Sequence, residues 1–478
     1  MHVKVGEMMI IILTVCVYAL LTIRWSIRTF DAKSINQMIY HLVVPCDGTD
    51  DGVYKDLLKE TVPGTLCFMV LFYLCVHYTP LKILYNYQVE TMVITIVFTI
   101  IIALCIYEIP SYLFYALQKT NLYEKYYHDP QDVALEFTQK RNLIHIYLES
   151  VENTYLLRDL GGQEDHNYIE ELGNLCKENL NFSHNDQIGG AKTIEGTEWT
   201  IGSMVAQESG IPLFIDFSKK YDHLTPYLPG CVSIGEILKK EGYHTELIQG
   251  SDAHFGCTSN FFKQHGDFEI NDYESLKKSG RLPEDYLVFW GFEDKKLFEF
   301  AKEDLMKLSK KEQPFYLEMV TIDTHTPDGF VCEDCENQYD NQYANVISCQ
   351  SKQVAHFVEW CQQQDWYENT TIVITGDHNS MSKKFFKKLD KNYIRTPYNC
   401  FINAAAKPKR SKNRDFSIFD FCPTILASMG VKIEGERLGL GTNLFSDKQT
   451  LMEKIGFRRL NNEVRKRSKY YQKKILGQ

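Results

Sequence analysis

The 478-residue sequence has no surplus of positive charge: 52 Lys and Arg stand against 62 Asp and Glu, a formal net charge of −10. That excludes the broad basic footprint on which nucleic-acid binding rests. There is no internal repeat and no low-complexity tract, so neither a repeat array nor a disordered tail organises the chain. Fourteen cysteines are present, but no second C-x-x-C pair matches Cys332 and Cys335. A zinc ribbon therefore lacks its other half. These two residues and Cys349 fit either a disulfide, if the domain is exported, or free buried thiols. No small-residue cleavage site follows the first apolar stretch. Arg24, Trp25 and Arg28 follow it instead, which argues against a cleaved signal peptide.

Apolar side chains are abundant near the start. Residues 8–23, 62–78 and 92–109 form three apolar stretches with no acidic residue inside them before Glu108. They predict about three transmembrane helices, the first two reaching span length only with flanking Trp25, Tyr and Thr residues. Three spans place the two ends of the chain on opposite sides. Arg24, Arg28, Lys33, Lys55 and Lys59 fall between the first two stretches. By the positive-inside rule they would hold that loop, and the C-terminal region with it, in the cytoplasm. Acidic residues dilute this bias, and the chemistry below is the better guide to the side. The expected organisation is a membrane region at 1–118, a linker at 119–140, a catalytic domain at 141–450 and a basic tail at 451–478, whose charges read as a solvated helix face.

From Asn142 onward the pattern becomes α/β. The short apolar runs "NLIHIYLES", "TELIQG", "PFYLEMVTID", "TTIVITGD" and "YNCFINA" alternate with amphipathic stretches such as "SIGEILKKEGY" and "SKQVAHFVEWCQQQ". Such alternation predicts a largely parallel central sheet with helices on both faces. Ligands of open α/β sheets bind beyond the carboxyl ends of the strands. There the sequence places Glu149, then Asp323, Thr324 and His325, then Asp377 and His378.

Carboxylates with an imidazole suit one divalent metal such as Mn²⁺, Mg²⁺ or Zn²⁺. A fourth ligand is wanted. In "EGTEWTIGSM", Thr197 precedes the apolar positions Ile201, Met204 and Val205, so it is expected at a helix N-terminus, a place that favours phosphate. A metal beside it would lower its hydroxyl pKa and make it a nucleophile. Glu149, Thr197, Asp377 and His378 thus read as a metal-activated threonine site for phosphoryl transfer. Thr200, one helical turn on, reads as a packing or capping residue.

The segments "IYLES", "GTEWTIGSMVAQESGIPL", "SIGEILKKEGYHTELIQG", "FFKQHG", "DTHTPDGF", "GDHNSM" and "ERLGLGTNLFSD" carry a family likeness over roughly residues 140–450. They resemble the phosphoglycerol transferases that decorate osmoregulated periplasmic glucans. Those enzymes group with lipoteichoic acid synthases and phosphoethanolamine transferases in the alkaline phosphatase/sulfatase superfamily. The resemblance implies a sulfatase-like domain with one divalent metal held by Glu149, Thr197, Asp377 and His378. It implies Thr197 as nucleophile, His325 as the residue that binds the substrate phosphate, and Trp290 in "FWGFEDKKLF" near the donor head group. It also implies a phosphatidylglycerol donor, a glycan acceptor, and a catalytic domain on the periplasmic or extracellular side of the cell membrane. Cys335 and Cys349 match cysteine positions of relatives, which implies a disulfide between them. The chain stops soon after "LGLGTNLFSD", where the glucan-modifying relatives continue. A cell-wall polysaccharide, a capsule or a small glycoside therefore fits the acceptor role equally well. A phosphoethanolamine transferase or a phosphodiesterase would use the same residues, and a non-catalytic membrane glycan-binding protein is the alternative outside enzymes. The C/S-x-P-x-R stretch of a sulfatase nucleophile is missing from "GTEWT".

Overall fold

A computed structural model describes residues 2–30, 35–382, 385–386 and 389–478. Lys33, counted above between the first two apolar stretches, lies outside them. The chain divides into two compact units, one of residues 1–38 and 49–114, the other of residues 39–48 and 115–478.

The first unit holds three long helices: α1 (His2–Phe30), α2 (Asp51–Tyr78) and α3 (Gln88–Ile106). Glu7–Phe30, Asp51–Tyr78 and Gln88–Ile106, of 24, 28 and 19 residues, are long and apolar enough to cross a membrane. At about 1.5 Å per residue even the shortest spans nearly the hydrocarbon thickness. Large apolar side chains such as Ile94 and Phe98 point outward, as on a helix whose solvent is lipid. Asp50 caps α2 by accepting the Gly52 N–H at 2.7 Å. Arg24 and Arg28 belong to the last turns of α1, and Lys55 and Lys59 to the first turns of α2. Arg28 pairs with Glu60 at 2.8 Å, and the Trp25 indole N–H donates to Asp56 at 2.8 Å. Two of the acids that dilute the charge bias, Asp56 and Glu60, are thus paired with α1.

The second unit is built on a six-stranded sheet of β1 (Asn142–Leu148), β2 (His244–Gln249), β3 (Glu269–Asn271), β4 (Phe315–Val320), β5 (Thr370–Gly376) and β6 (Asn399–Ile402). The spatial order is β3-β2-β4-β1-β5-β6, parallel throughout except for β6 against β5. All seven residues of β1 are buried, as expected of a strand covered on both faces. The two-residue period divides its side chains between two cores. Leu143 and Tyr147 join one, and Ile144, Ile146 and Leu148 the other. In β4, Tyr316 and Val320 take the first side, while Phe315, Leu317 and Met319 take the second. Helices α4 (Thr200–Ser209) and α7 (Phe421–Ser428) contribute to the first core, α5 (Asp294–Leu308) and α6 (Gln342–Gln362) to the second. The mixed α/β architecture and mostly parallel sheet are those read from the sequence.

Two stretches expected outside the domain are folded into it. In the linker, Leu122 and Tyr123 are buried, and Leu135–Phe137 pairs antiparallel with Val431–Ile433. In the basic tail, Leu451–Ile455 and Phe457–Val464 are short helices, and Arg467–Ser468 pairs parallel with Lys119–Thr120. Leu460 and Val464, four residues apart, form an apolar stripe that joins the first core with Tyr471 and Ile475. The tail is therefore a half-buried edge of the domain rather than a solvated face. The expected Cys335–Cys349 disulfide is not formed, because all fourteen cysteines are free thiols. The Cys332 sulfur contacts both of its neighbours, 3.5 Å from Cys335 and 3.7 Å from Cys349.

Strand β5 can deliver its terminal residues only because Gly376 has no side chain. A Cβ there would lie 1.9 Å from the Val151 carbonyl oxygen. Gly376→Ala should destabilise the domain by about 1–3 kcal/mol, read as a lower midpoint in thermal or denaturant unfolding. An unchanged midpoint would contradict this packing of the strand end.

Candidate active site

Glu149 follows the last residue of β1 and is pinned by the two threonines that follow β4. Its N–H donates to Thr321 Oγ1 at 2.9 Å, and its carbonyl accepts from Thr324 Oγ1 at 2.5 Å. Gln350, reaching from α6, donates to both threonine hydroxyls, at 2.9 and 3.1 Å, and to Asp294 at 2.9 Å. The next residue, Ser150, has φ of 58°, a left-handed conformation that non-glycine residues adopt at a cost. Two bonds hold it there. Its N–H donates to Asp377 Oδ1 at 2.8 Å and its hydroxyl to Glu149 Oε1 at 2.7 Å.

Asp377 and His378 follow β5. The His378 N–H donates to Asp377 Oδ1 at 2.7 Å. His378 Nδ1 lies 3.0 Å from the Asn379 carbonyl, so Nδ1 carries a proton and Nε2 is the nitrogen that faces the carboxylates. Nε2 is 3.4 Å from Asp377 Oδ2 and 3.7 Å from Glu149 Oε1. Glu149, Asp377 and His378 present one ligand atom each, all within 4.8 Å of one another. All three are buried, and Asp377 Oδ2 has no hydrogen-bond partner among the described residues.

Electrostatics sharpen the picture. Burial, and then the Glu149 charge, push the Asp377 carboxyl up to about 8. Burial also acts to raise Glu149, but the His378 and His325 imidazoles outweigh it and pull that carboxyl below its usual range. Burial disfavours a charged His378, yet Asp377 and Glu149 hold its imidazole above its ordinary value. Two buried carboxylates this close repel unless positive charge stands between them. An unpaired buried carboxylate oxygen aimed at the cluster calls for the same thing.

The threonine assignment is corrected by the geometry. Thr197 is fully buried and closes a turn: its hydroxyl donates to the Ile194 carbonyl at 2.8 Å and accepts the Ile194 N–H at 3.1 Å. Gly196, with φ of 85°, makes that turn, and α4 starts three residues later than Thr197. The residue at the helix N-terminus is therefore Thr200. Its hydroxyl donates to Glu149 Oε2 at 3.2 Å and lies 3.5 Å from His378 Nε2. The role expected of Thr197 as metal ligand and nucleophile has no support in this arrangement.

His325 lies on the loop after β4, close enough for its charge to act on Glu149. Its ring is 4.7 Å from that of Trp290, which in turn is 5.5 Å from Phe255. Trp290 and His325, far apart in sequence, are thus brought together beside the cluster. Asp323 faces elsewhere: burial, and then the neighbouring Asp294, push its carboxyl up to about 10. Sequence reasoning missed Ser150 and Gln350 and gave Thr200 only a packing or capping role. No sequence signal separates Thr200 from Thr197, since both precede the apolar face of one helix. Gln350, in mid-helix, offers none.

A parallel sheet whose strand ends converge carboxylate and imidazole on a helix N-terminus defines a recognisable class, and the sulfatase family profile matches residues 141–431. That span is more than half of the chain and includes all of the clustered residues, so the chain belongs to the sulfatase family. Within it, the chain is similar to phosphoglycerol transferase I of Salmonella choleraesuis (strain SC-B67), 33% identical over 326 residues, 66% of this chain and 40% of that protein. It spans 35–40% of the length of the phosphoglycerol transferases it matches. Among solved structures it shares its fold with the lipoteichoic acid synthase LtaP of Listeria monocytogenes, at a TM-score of 0.52 and 17% identity over 68% of this chain and 81% of that one. It shares it also with the integral membrane lipooligosaccharide phosphoethanolamine transferase A of Neisseria meningitidis, at a TM-score of 0.50 and 12% identity over 88% and 84%.

Thr197→Ala should cost about 1 kcal/mol of stability by opening the Ile194 turn, read as a lower unfolding midpoint. A variant as stable as the parent would show that the hydroxyl is not needed for the turn.

Proposed function

We propose that the protein is a membrane-anchored phosphoglycerol transferase that moves glycerol phosphate from phosphatidylglycerol to an extracytoplasmic glycan, with Thr200 as nucleophile. The observation that carries this is the Thr200 hydroxyl, at the start of α4, within hydrogen-bond reach of Glu149 and 3.5 Å from His378. The 33% identity to phosphoglycerol transferase I over 326 residues supports the choice of donor.

Glu149, Asp377, His378 and the Thr200 hydroxyl fit one divalent ion, because the donor set is mixed oxygen and nitrogen and one carboxylate oxygen is unpaired. When bound, Mn²⁺, Mg²⁺ or Zn²⁺ would neutralise the carboxylates and favour the deprotonated threonine. The rest is the work of the chain. Thr200 Oγ1 attacks the phosphorus of phosphatidylglycerol. The bond from phosphorus to the diacylglycerol oxygen breaks, and diacylglycerol leaves with the proton the threonine has lost. A glycan hydroxyl then attacks the glycerophosphoryl-threonine, takes the glycerol phosphate and restores the Thr200 hydroxyl. Two displacements give ping-pong kinetics. His325 binds the phosphate, Trp290 borders the head group, and the free N–H groups of the first turn of α4 favour the phosphate charge. The three apolar helices hold the site near its lipid donor and raise its effective concentration, with the domain on the outer side of the cell membrane. The acceptor is a cell-wall, capsular or periplasmic glycan, or a small glycoside.

Thr200→Ala should lower transfer of labelled glycerol phosphate by at least about 1,000-fold and eliminate the trapped phosphorylated peptide containing residue 200. A fully active Thr200→Ala protein would sink the nucleophile assignment. The mass of the trapped group separates glycerophosphate from phosphoethanolamine, and a phosphoethanolamine adduct would overturn the donor assignment while leaving the nucleophile intact.

Chelation of the purified protein should lower its melting temperature and abolish turnover, and Mn²⁺ should restore both. In Glu149→Gln the Mn²⁺-dependent rise in melting temperature should vanish. A rise equal to the parent's would place the ion elsewhere.

A further inference from the structure

Away from the cluster, three thiols converge. Cys332 and Cys335 lie on the loop between β4 and α6, and Cys349 lies on α6. Their sulfurs are all within 4.8 Å of one another. The two closest separations are 3.5 Å and 3.7 Å. A disulfide requires about 2.05 Å. Thiolates around a tetrahedral ion, at about 2.3 Å each, stand about 3.8 Å apart. The observed spacing is that of sulfurs sharing an ion.

The surroundings agree with this. The Cys335 N–H donates to the Cys332 carbonyl at 3.1 Å, which folds the C-x-x-C stretch into a tight turn with both sulfurs on one side. The Gln353 amide N–H donates to Cys332 Sγ at 3.4 Å and to Cys349 Sγ at 3.7 Å, the kind of outer bond that steadies a liganding thiolate. With three cysteines, any single disulfide would leave an odd thiol. Cys332 and Cys349 are buried and Cys335 is half-buried, which leaves the group open to an ion from one side.

We propose that Cys332, Cys335 and Cys349 form a second metal site, a three-thiolate site for a zinc-class ion with a fourth position open to water, which staples the His325 loop to α6. The loop leaves β4 at Thr321, carries His325 and then Phe330, and reaches the C-x-x-C turn before α6 begins at Gln342. Phe330 stacks on Phe289 at 6.0 Å, and Phe289 meets Trp290 and His325 edge-on. An ion at the three thiols fixes the far end of the segment whose near end presents His325. The site shares no residue with Glu149, Asp377 and His378, so it stands independently of the proposed transferase chemistry.

The test uses the full chain in detergent, purified without chelator, with Zn²⁺ and Co²⁺ as probes. Zinc analysis should find an equivalent that is lost in Cys332→Ser and in Cys349→Ser but kept in Glu149→Gln. Co²⁺ should give a sulfur-to-metal charge-transfer absorption in the near ultraviolet with the same pattern of loss and retention. Because a serine variant can fail to fold, the parent protein supplies a second reading: Zn²⁺ should slow alkylation of Cys332, Cys335 and Cys349 by at least about 10-fold, as mapped by mass spectrometry. A disulfide between any two of the three in the purified protein, or alkylation indifferent to Zn²⁺, overturns the proposal.

Discussion

The confinement of two carboxylates at adjacent strand ends governs how the rest of the domain is arranged. In the β1–β5 ladder, Leu148 is level with Gly376, so the residues that follow, Glu149 and Asp377, emerge side by side out of water. Nothing in folding favours this. Buried like charges repel and lose hydration. The chain meets that cost with fixed donors. Ser150 is held in a left-handed conformation so that its N–H reaches Asp377, and Thr321 and Thr324 are tied by Gln350 so that Glu149 cannot turn away. A polar arrangement kept at such a cost, at the carboxyl edge of a parallel sheet, marks a place where function has overruled stability.

What could be read from the sequence follows the range of the forces involved. The strands were legible because β1, β4 and β5 are wholly buried, mostly apolar runs that end abruptly in polar residues, and burial dictates that pattern. Glu149, His325, Asp377 and His378 were found for the same reason. The choice between Thr197 and Thr200 was not legible, since both precede the apolar face of one helix. It is decided by the Gly196 turn and by the two Ile194 bonds that claim Thr197, and those depend on the folded backbone. The linker and tail escaped notice because each element is only two to eight residues long and finds its partner hundreds of residues away, as Lys119–Thr120 does with Arg467–Ser468. Local pattern carries no trace of such pairing. The cysteines tell the same story. The resemblance pointed to Cys335 with Cys349, whereas the folded loop brings Cys332 against both.

A second triad of two carboxylates and an imidazole shows why the first one calls for a cation. His145 on β1, Glu318 on β4 and Glu208 on α4 also gather within 4.8 Å, in the first core. There, burial pushes both glutamates up, and it pulls the His145 imidazole down to about 3. Each of these shifts favours the uncharged form, and fixed donors surround the two carboxyls. The Tyr316 hydroxyl donates to Glu208 at 2.6 Å and contacts Glu318, Gly235 N–H donates to Glu208 at 3.1 Å, and His145 pairs with Thr375 at 3.0 Å. At the strand ends the shifts run the other way for glutamate and histidine: Glu149 is held down and His378 up. The mid-sheet triad thus favours uncharged forms, whereas at the sheet's edge Glu149 and His378 favour their charged forms. The two triads are joined by α4, which carries Thr200 at its first residue and Glu208 one residue before its last. The mid-sheet triad clamps one end of that helix to β4, and the orientation of Thr200 toward Glu149 and His378 follows from a rigid element anchored at both ends.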